Sequence, residues 1–310
     1  MIVSASRRTD IPAFYATWFI NRIREGYVLN KNPFNTNQVK KIILTPFYVD
    51  AIIFWTRNPK PLMPYLDELD EKGFNYYFQY TITGYPRTLE KNTPHPSKGI
   101  ETFIELSDKI GKEKVIWRYD PIIFTKYTDF DEHIRLFDKI SKALENKTDK
   151  VVISFADPYK KITKKLEEID YTDILDEKIK LYELAKQMSE IAQSRNMIVE
   201  TCSEAIDLDY CNIKHGKCID DVLIEKLFNV NLHVNKDKNQ RKECGCVQSV
   251  DIGVYNTCSH RCTYCYATYS DKTVEKNKLI HNPNSPLLIG TLADLNDETI
   301  KKINLEQNLF

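Results

Sequence analysis

Asp251-Ile-Gly-Val-Tyr-Asn-Thr-Cys258-Ser-His-Arg-Cys262-Thr-Tyr-Cys265-Tyr-Ala267 decides how the rest of this 310-residue chain is read. A short β-branched run leads into three cysteines spaced C-x3-C-x2-C, with an aromatic, Tyr264, before the last. The arrangement predicts a tight loop at the end of a strand, wrapped around a metal centre. Thiolates are soft ligands suited to zinc or to iron-sulfur clusters, and cluster iron is normally held by four cysteines. Three cysteines on one four-iron cluster leave one iron open to an outside ligand, and an open position marks a reactive metal rather than a structural one. The blander alternative is a structural zinc knuckle completed by His260, His281 or another cysteine.

Outward from the motif, short apolar runs recur along the chain: Met1 to Ser6, Ala51 to Thr56, Tyr76 to Thr83, Val115 to Pro121, Val151 to Pro158 and Met197 to Glu204. Each is followed by polar residues and then by helical spacing, as at Pro12 to Ile23, Pro61 to Lys72, Gly99 to Ile110, Ile134 to Ile140 and Asp173 to Arg195. Gly26 stops the first helix, Asn30-Lys-Asn32-Pro33 is read as a loop, and Asp10 as a helix N-cap. With a strand around Val250 to Tyr255, seven strands alternate with helices, which indicates an α/β fold of βαβ units with a parallel sheet. In barrel-like sheets of this kind, active residues gather at the C-terminal strand ends. That is where Arg7-Arg8-Thr9-Asp10, Thr56 and Arg118-Tyr-Asp120 stand.

Composition bounds the function classes. Hydrophobic residues make up 42% and charged ones 28%, ordinary for a globular protein with a sizeable core. Lys plus Arg and Asp plus Glu number 44 each, so no global field attracts nucleic acid or an anionic membrane, although Arg241, Lys242, His260 and Arg261 offer a local basic patch. The N-terminal residues lack the apolar region of a secretory signal, and no run nears the ~20 apolar residues that span a bilayer. The expectation is a cytoplasmic protein whose eight cysteines are metal ligands rather than a disulfide framework.

Five of those cysteines, Cys202, Cys211, Cys218, Cys244 and Cys246, crowd between the sixth strand and the motif. Gly245 lets the backbone of the C-x-C pair turn both sulfurs toward one centre. Cys202, Cys218, Cys244 and Cys246 are the expected ligands of a second site, with Cys211 left over. By count, four thiolates suit an auxiliary iron-sulfur cluster and an all-cysteine zinc site equally, and buried inert thiols are the bland alternative.

Cys258, Cys262 and Cys265, with Tyr264, resemble the C-x3-C-x-aromatic-C signature of the radical S-adenosylmethionine (SAM) superfamily, and the wording around them is close to its spore photoproduct lyase-like branch. The whole chain, from Ser-Ala-Ser-Arg7-Arg8-Thr9-Asp10-Ile-Pro12 onward, more closely resembles an uncharacterised radical-SAM-like family with the motif near the C-terminus. Asn282-Pro-Asn-Ser-Pro286 is similar to a segment that follows the motif in related proteins. The resemblance implies a circularly permuted partial (β/α) TIM-like barrel with a C-terminal iron-sulfur cluster loop, in which the strand before Cys258 lies beside Met1 to Ser6. On that plan, 1–310 is a single permuted radical SAM-like barrel. Residues 1–201 form six βα units, 202–246 the auxiliary metal-site segment, 247–267 the strand and cluster loop, and 268–310 the tail.

The same resemblance implies an enzyme whose [4Fe-4S] cluster reductively cleaves SAM to a 5′-deoxyadenosyl radical that abstracts hydrogen from an unidentified substrate. Ser4, Ser6, Arg7 and Arg8 would hold the methionine end of SAM, and Thr56, Arg118 and Asp120 the ribose or the substrate, unless Arg118 and Asp120 simply form an internal ion pair. Such an enzyme needs an electron donor such as flavodoxin or ferredoxin, and the family's extra clusters favour iron at the second cysteine site. The competing class is a zinc- or cluster-stabilised nucleic-acid-binding or DNA-repair protein that does not cleave SAM.

Overall fold

The computed structural model describes residues 1–295; residues 296–310 of the expected tail lie outside the described residues. The apolar runs become the strands β1 (Ile2–Ala5), β4 (Ala51–Thr56), β5 (Tyr76–Thr81), β6 (Val115–Ile122), β7 (Lys150–Phe155) and β8 (Ile198–Thr201). Between them lie α1 (Ile11–Phe14) and α2 (Ala16–Glu25), α3 (Leu66–Glu71), α4 (Pro96–Ile110), α5 (Phe130–Ala143), then α6 (Thr163–Glu167) and α7 (Lys178–Gln193). Two short strands, β9 (Lys214–His215) and β10 (Val250–Asp251), and the helices α8 (Asp221–Phe228) and α9 (Asp271–Ile280) follow.

All these strands pair in parallel in one eight-stranded sheet of order β10-β1-β4-β5-β6-β7-β8-β9. The strand that leads to the cysteine motif therefore lies beside the N-terminal strand, with Val3 opposite Val250 and Ser4 opposite Asp251. Parallel strands joined by right-handed crossovers bring their C-terminal ends to one side.

Alternation along each strand divides the apolar residues between two cores. Val3, Ile52, Phe54, Phe78, Tyr80 and Trp117 join a cluster with the helix residues Trp18, Phe19, Phe103, Phe137 and Leu184. Ile2, Ala51, Ile53, Tyr77, Ile116 and Val152 face the other way and pack on Cys218, Ile219, Ile224, Cys244, Cys246 and Val247. With both faces covered, the strands can be almost wholly apolar, as parallel strands usually are. The second core is supplied by α8 and by the irregular chain after it, so the segment that carries Cys218, Cys244 and Cys246 forms a lid on one sheet face, while Cys211 packs in the other core.

Two expectations need correction. Asn30 to Pro33 is not a loop: β2 (Tyr27–Asn32) and β3 (Asn35–Ile43) form an antiparallel hairpin whose turn is confined to Pro33 and Phe34. A two-stranded ribbon with a wet face tolerates Asn and Lys within its strands, and those residues masked it. The strand expected to run to Tyr255 ends at Asp251, because the Asp251 Oδ1 accepts from Gly253 N at 2.9 Å and turns the chain. A Cβ at position 253 would overlap the Ser6 hydroxyl, so only glycine fits this approach.

The Asn282 to Pro286 segment clamps α2 and the hairpin. Trp18 Nε1 donates to Ser285 O (2.9 Å), Arg22 Nη2 to Asn284 O (3.1 Å) and Leu29 N to Pro286 O (2.9 Å).

Candidate metal and cofactor site

At the C-terminal ends of the strands lies a cavity of about 400 Å³, within the range of small-molecule sites. Of the residues expected to hold a cluster, SAM or substrate, all but Ser4 line it, among them Cys258, Cys262 and Cys265 as well as Cys202, Cys218, Cys244 and Cys246. Cys211 does not; its thiol is buried against Tyr182 O at 3.6 Å.

Asp251 joins the two terminal strands. Its carboxylate accepts from Ser4 Oγ (2.8 Å), Ser6 Oγ (2.7 Å), Arg7 N (2.8 Å) and Gly253 N (2.9 Å). The hydroxyls of Ser4 and Ser6 are thus spent on this seam rather than turned to a ligand. Arg7 and Arg8 approach the same carboxylate only loosely, at 4.0 and 3.8 Å, and both line the cavity.

Asp10 does for the cysteine loop what Asp251 does for the seam. Its carboxylate accepts from Ala13 N (3.0 Å), Thr56 Oγ1 (2.7 Å) and Arg57 N (2.7 Å), and faces His260 Nε2 at 2.9 Å. The N-cap reading was correct but covered one bond of several, and the Thr56 hydroxyl is likewise engaged internally. Arg57 bridges from Glu90 Oε1 (2.7 Å) to the hydroxyl of Tyr264 (2.6 Å), which itself donates to Glu90. The loop backbone is pinned from the same side, by Asn92 N to His260 O (3.0 Å) and Thr263 N to Leu89 O (2.9 Å). Glu90, Arg57 and Asp10 carried no sequence signal for this role, since their partners lie far along the chain.

Cys258 and Cys262 sit where a bare thiolate would be costly. Burial pushes the Cys258 thiol well above its usual range, and nearby Asp10, Cys265 and Cys262 push it further. Cys262 is pushed up to about 12 by burial, with Arg57 opposing and Glu90 and Cys265 adding to the rise. Buried thiols gathered near one another and near carboxylates need a cation to become ligands, and this donor set suits a soft metal. The three interact through charge, whereas the other set holds a direct contact: Cys202 Sγ lies 2.9 Å from Cys218 Sγ, with Cys246 near Cys218 and Cys244 near Cys246. Among the described residues no group of three or more His, Cys, Asp or Glu converges as the ligands of a single ion do.

Arg118, only 4% exposed, pairs with Asp120 (Nη2 to Oδ2, 2.6 Å), so the internal ion pair considered from the sequence is present. It also donates from Nη1 to Gln79 Oε1 (3.1 Å) and to Cys218 Sγ (2.9 Å), which ties it to the second cysteine set. Glu204, which was not singled out, lines the cavity with its carboxyl pushed up to about 7 by burial. Of the residues of the basic patch, Arg241 pairs with Asp157, Arg261 pairs with Glu275, and His260 is 3% exposed. No helix among the described residues is long and apolar enough to cross a membrane.

A family profile described as a domain of unknown function, DUF1848, matches residues 2–267. No curated protein and no solved structure matches the chain.

Proposed function

Because this chain belongs to the DUF1848 family, whose members share a domain of unknown function, we propose the activity from the site itself: a radical SAM enzyme of the reducing cytoplasm acting on an unidentified substrate. One observation carries the proposal. Parallel pairing of β10 with β1 brings the Cys258 to Cys265 loop and the strand-end residues Arg7 and Arg8 to one cavity. The strand order supports reading the sheet as the arc of a circularly permuted partial β/α barrel.

Cys258, Cys262 and Cys265 would hold a [4Fe-4S] cluster. Together with SAM, such a cluster supplies a 5′-deoxyadenosyl radical that abstracts hydrogen from carbon. Arg7 and Arg8, held near Asp251 without tight pairing, are free to take a carboxylate in a charge-assisted contact. Ser4, Ser6 and Thr56 act as positioning residues through Asp251 and Asp10. Asp120, fixed by Arg118 and by the Ser154 hydroxyl, borders the cavity farther along the sheet, where a substrate would lie. Electrons would come from a flavodoxin or ferredoxin.

The test is an anaerobic assay for 5′-deoxyadenosine on iron-reconstituted protein with SAM and a chemical reductant. The wild-type chain should form it, and Arg8→Ala should retain iron while losing most of the product. A fully loaded cluster that yields no 5′-deoxyadenosine would overturn the proposal.

A further inference from the structure

We infer that Cys202, Cys218, Cys244 and Cys246 form a mononuclear site for one soft divalent ion, of which zinc is the type, and not a second four-iron cluster. This goes beyond the SAM reading and does not depend on it.

Three observations converge. All four cysteines border the same cavity, with Cys246 near Cys218 and Cys244 near Cys246, and the sulfurs of Cys202 and Cys218 stand at 2.9 Å. This is too long for a disulfide of about 2.05 Å, and all four are free thiols. A tetrahedral zinc with bonds of about 2.3 Å holds its sulfurs roughly 3.8 Å apart, whereas a four-iron cube spreads them much farther. The Cys202 to Cys218 pair is thus nearer to the smaller arrangement: an ion would enter by parting these two sulfurs, a movement available to the single side-chain torsion of cysteine.

The second observation is that donors aim at these sulfurs. The buried guanidinium of Arg118 reaches Cys218 Sγ at 2.9 Å, and Ile219 N reaches Cys246 Sγ at 3.4 Å. Donors already fixed beside the sulfurs can support them as ligands once an ion takes the place of the thiol protons.

Third, residues 229–249 hold neither helix nor strand, only the bridge between Lys236 and Val247, yet they cover the second core. Irregular stretches longer than ~15 residues are uncommon in compact domains, and a structural ion is a usual means of fixing them. Cys244 and Cys246 sit in this stretch while Cys202 and Cys218 lie beside the sheet edge, so one ion would tie the lid to the sheet.

The experiment uses the full chain carrying Cys258→Ala, Cys262→Ala and Cys265→Ala, analysed for metals by plasma mass spectrometry after dialysis. About one zinc per chain with no iron is expected. About four irons would show a second cluster, and no metal would remove the site altogether; either result overturns the inference. Replacing zinc by cobalt(II) in the same chain should give intense visible bands with thiolate-to-cobalt charge transfer, and their absence also overturns it. Adding Cys244→Ser and Cys246→Ser should abolish both readouts, whereas adding Cys211→Ser should change neither. Should the doubly altered chain fail to fold, the cobalt spectrum of the first variant still decides. Zinc content is independent of SAM cleavage, so the two proposals fail separately.

Discussion

The two cysteine sets border one cavity but are held by opposite means. The Cys258 to Cys265 loop is fastened by polar groups that the protein itself supplies: Asp10 through His260, Glu90 and Arg57 through Tyr264, and the Leu89 to Asn92 backbone. In the 202–246 set such support is concentrated on Cys218, which Arg118, Tyr77 and Gln79 brace from the sheet, while the chain that carries Cys244 and Cys246 is irregular. A reactive centre benefits from ligands positioned in advance, because the geometry of its open coordination position must not depend on the metal. A structural ion can instead be the element that creates order.

The sharpest way to break this contrast is to remove metal from each set separately. Alanine at Cys258, Cys262 and Cys265 should take iron from about four per chain to none, with little change in protease resistance across 229–249, read by limited trypsin digestion. Chelation of the second site should do the reverse, exposing cuts near Lys238, Arg241 and Lys242. If both regions loosen together in either experiment, they are not distinct. Next in size is Asp251→Ala, which strands two arginines and two hydroxyls at the β1 to β10 seam. Losing one partner from a buried charged network costs about 3 to 5 kcal/mol, measurable as a fall in urea stability, and Asp251→Asn should recover part of it.

A third region supplies a pH control free of cysteines. His133 is wholly buried against Tyr119 and Ile123 O, and burial lowers its pKa to about 4 from the ordinary 6.5, with Asp129 and Glu132 opposing. The folded state then binds fewer protons than the unfolded one between these values, so stability is full above about pH 6.5 and declines toward pH 4. The decline amounts to roughly 3 kcal/mol, and His133→Gln should flatten that part of the stability profile. An unchanged slope would place the titration elsewhere. The smallest effect belongs to Tyr264→Phe, which removes one hydroxyl from the Arg57 and Glu90 group. A loss of about 1 to 2 kcal/mol with iron retained would show that the aromatic steadies the loop without ligating.

Much of this arrangement was legible in the sequence. Apolar runs between polar turns marked β1, β4, β5, β6, β7 and β8, since strands covered on both faces have few other compositions. The motif also pointed to the strand beside β1. What escaped was long-range or too short to have a period: the hairpin, hidden by Asn30 and Asn32, the two-residue strand β9, and the partners of Asp10, Glu90 and Asp251. A lone carboxylate carries no mark of what will face it after folding. Ser4, Ser6 and Thr56 were placed at the right end of the sheet, but their hydroxyls turned out to be spent on those unseen carboxylates.

The seam between Ser4 and Asp251 spans 247 positions of sequence. A ribosome adding about 5 to 20 residues per second needs roughly 12 to 50 s to travel between them. Throughout that interval β1 has β4 on one side and nothing on the other, an open apolar edge of the kind that invites pairing with a second nascent chain. The motif cysteines follow β10 within fifteen residues, so the strand that closes that edge and the ligands of the reactive centre reach the sheet together, after all its other strands.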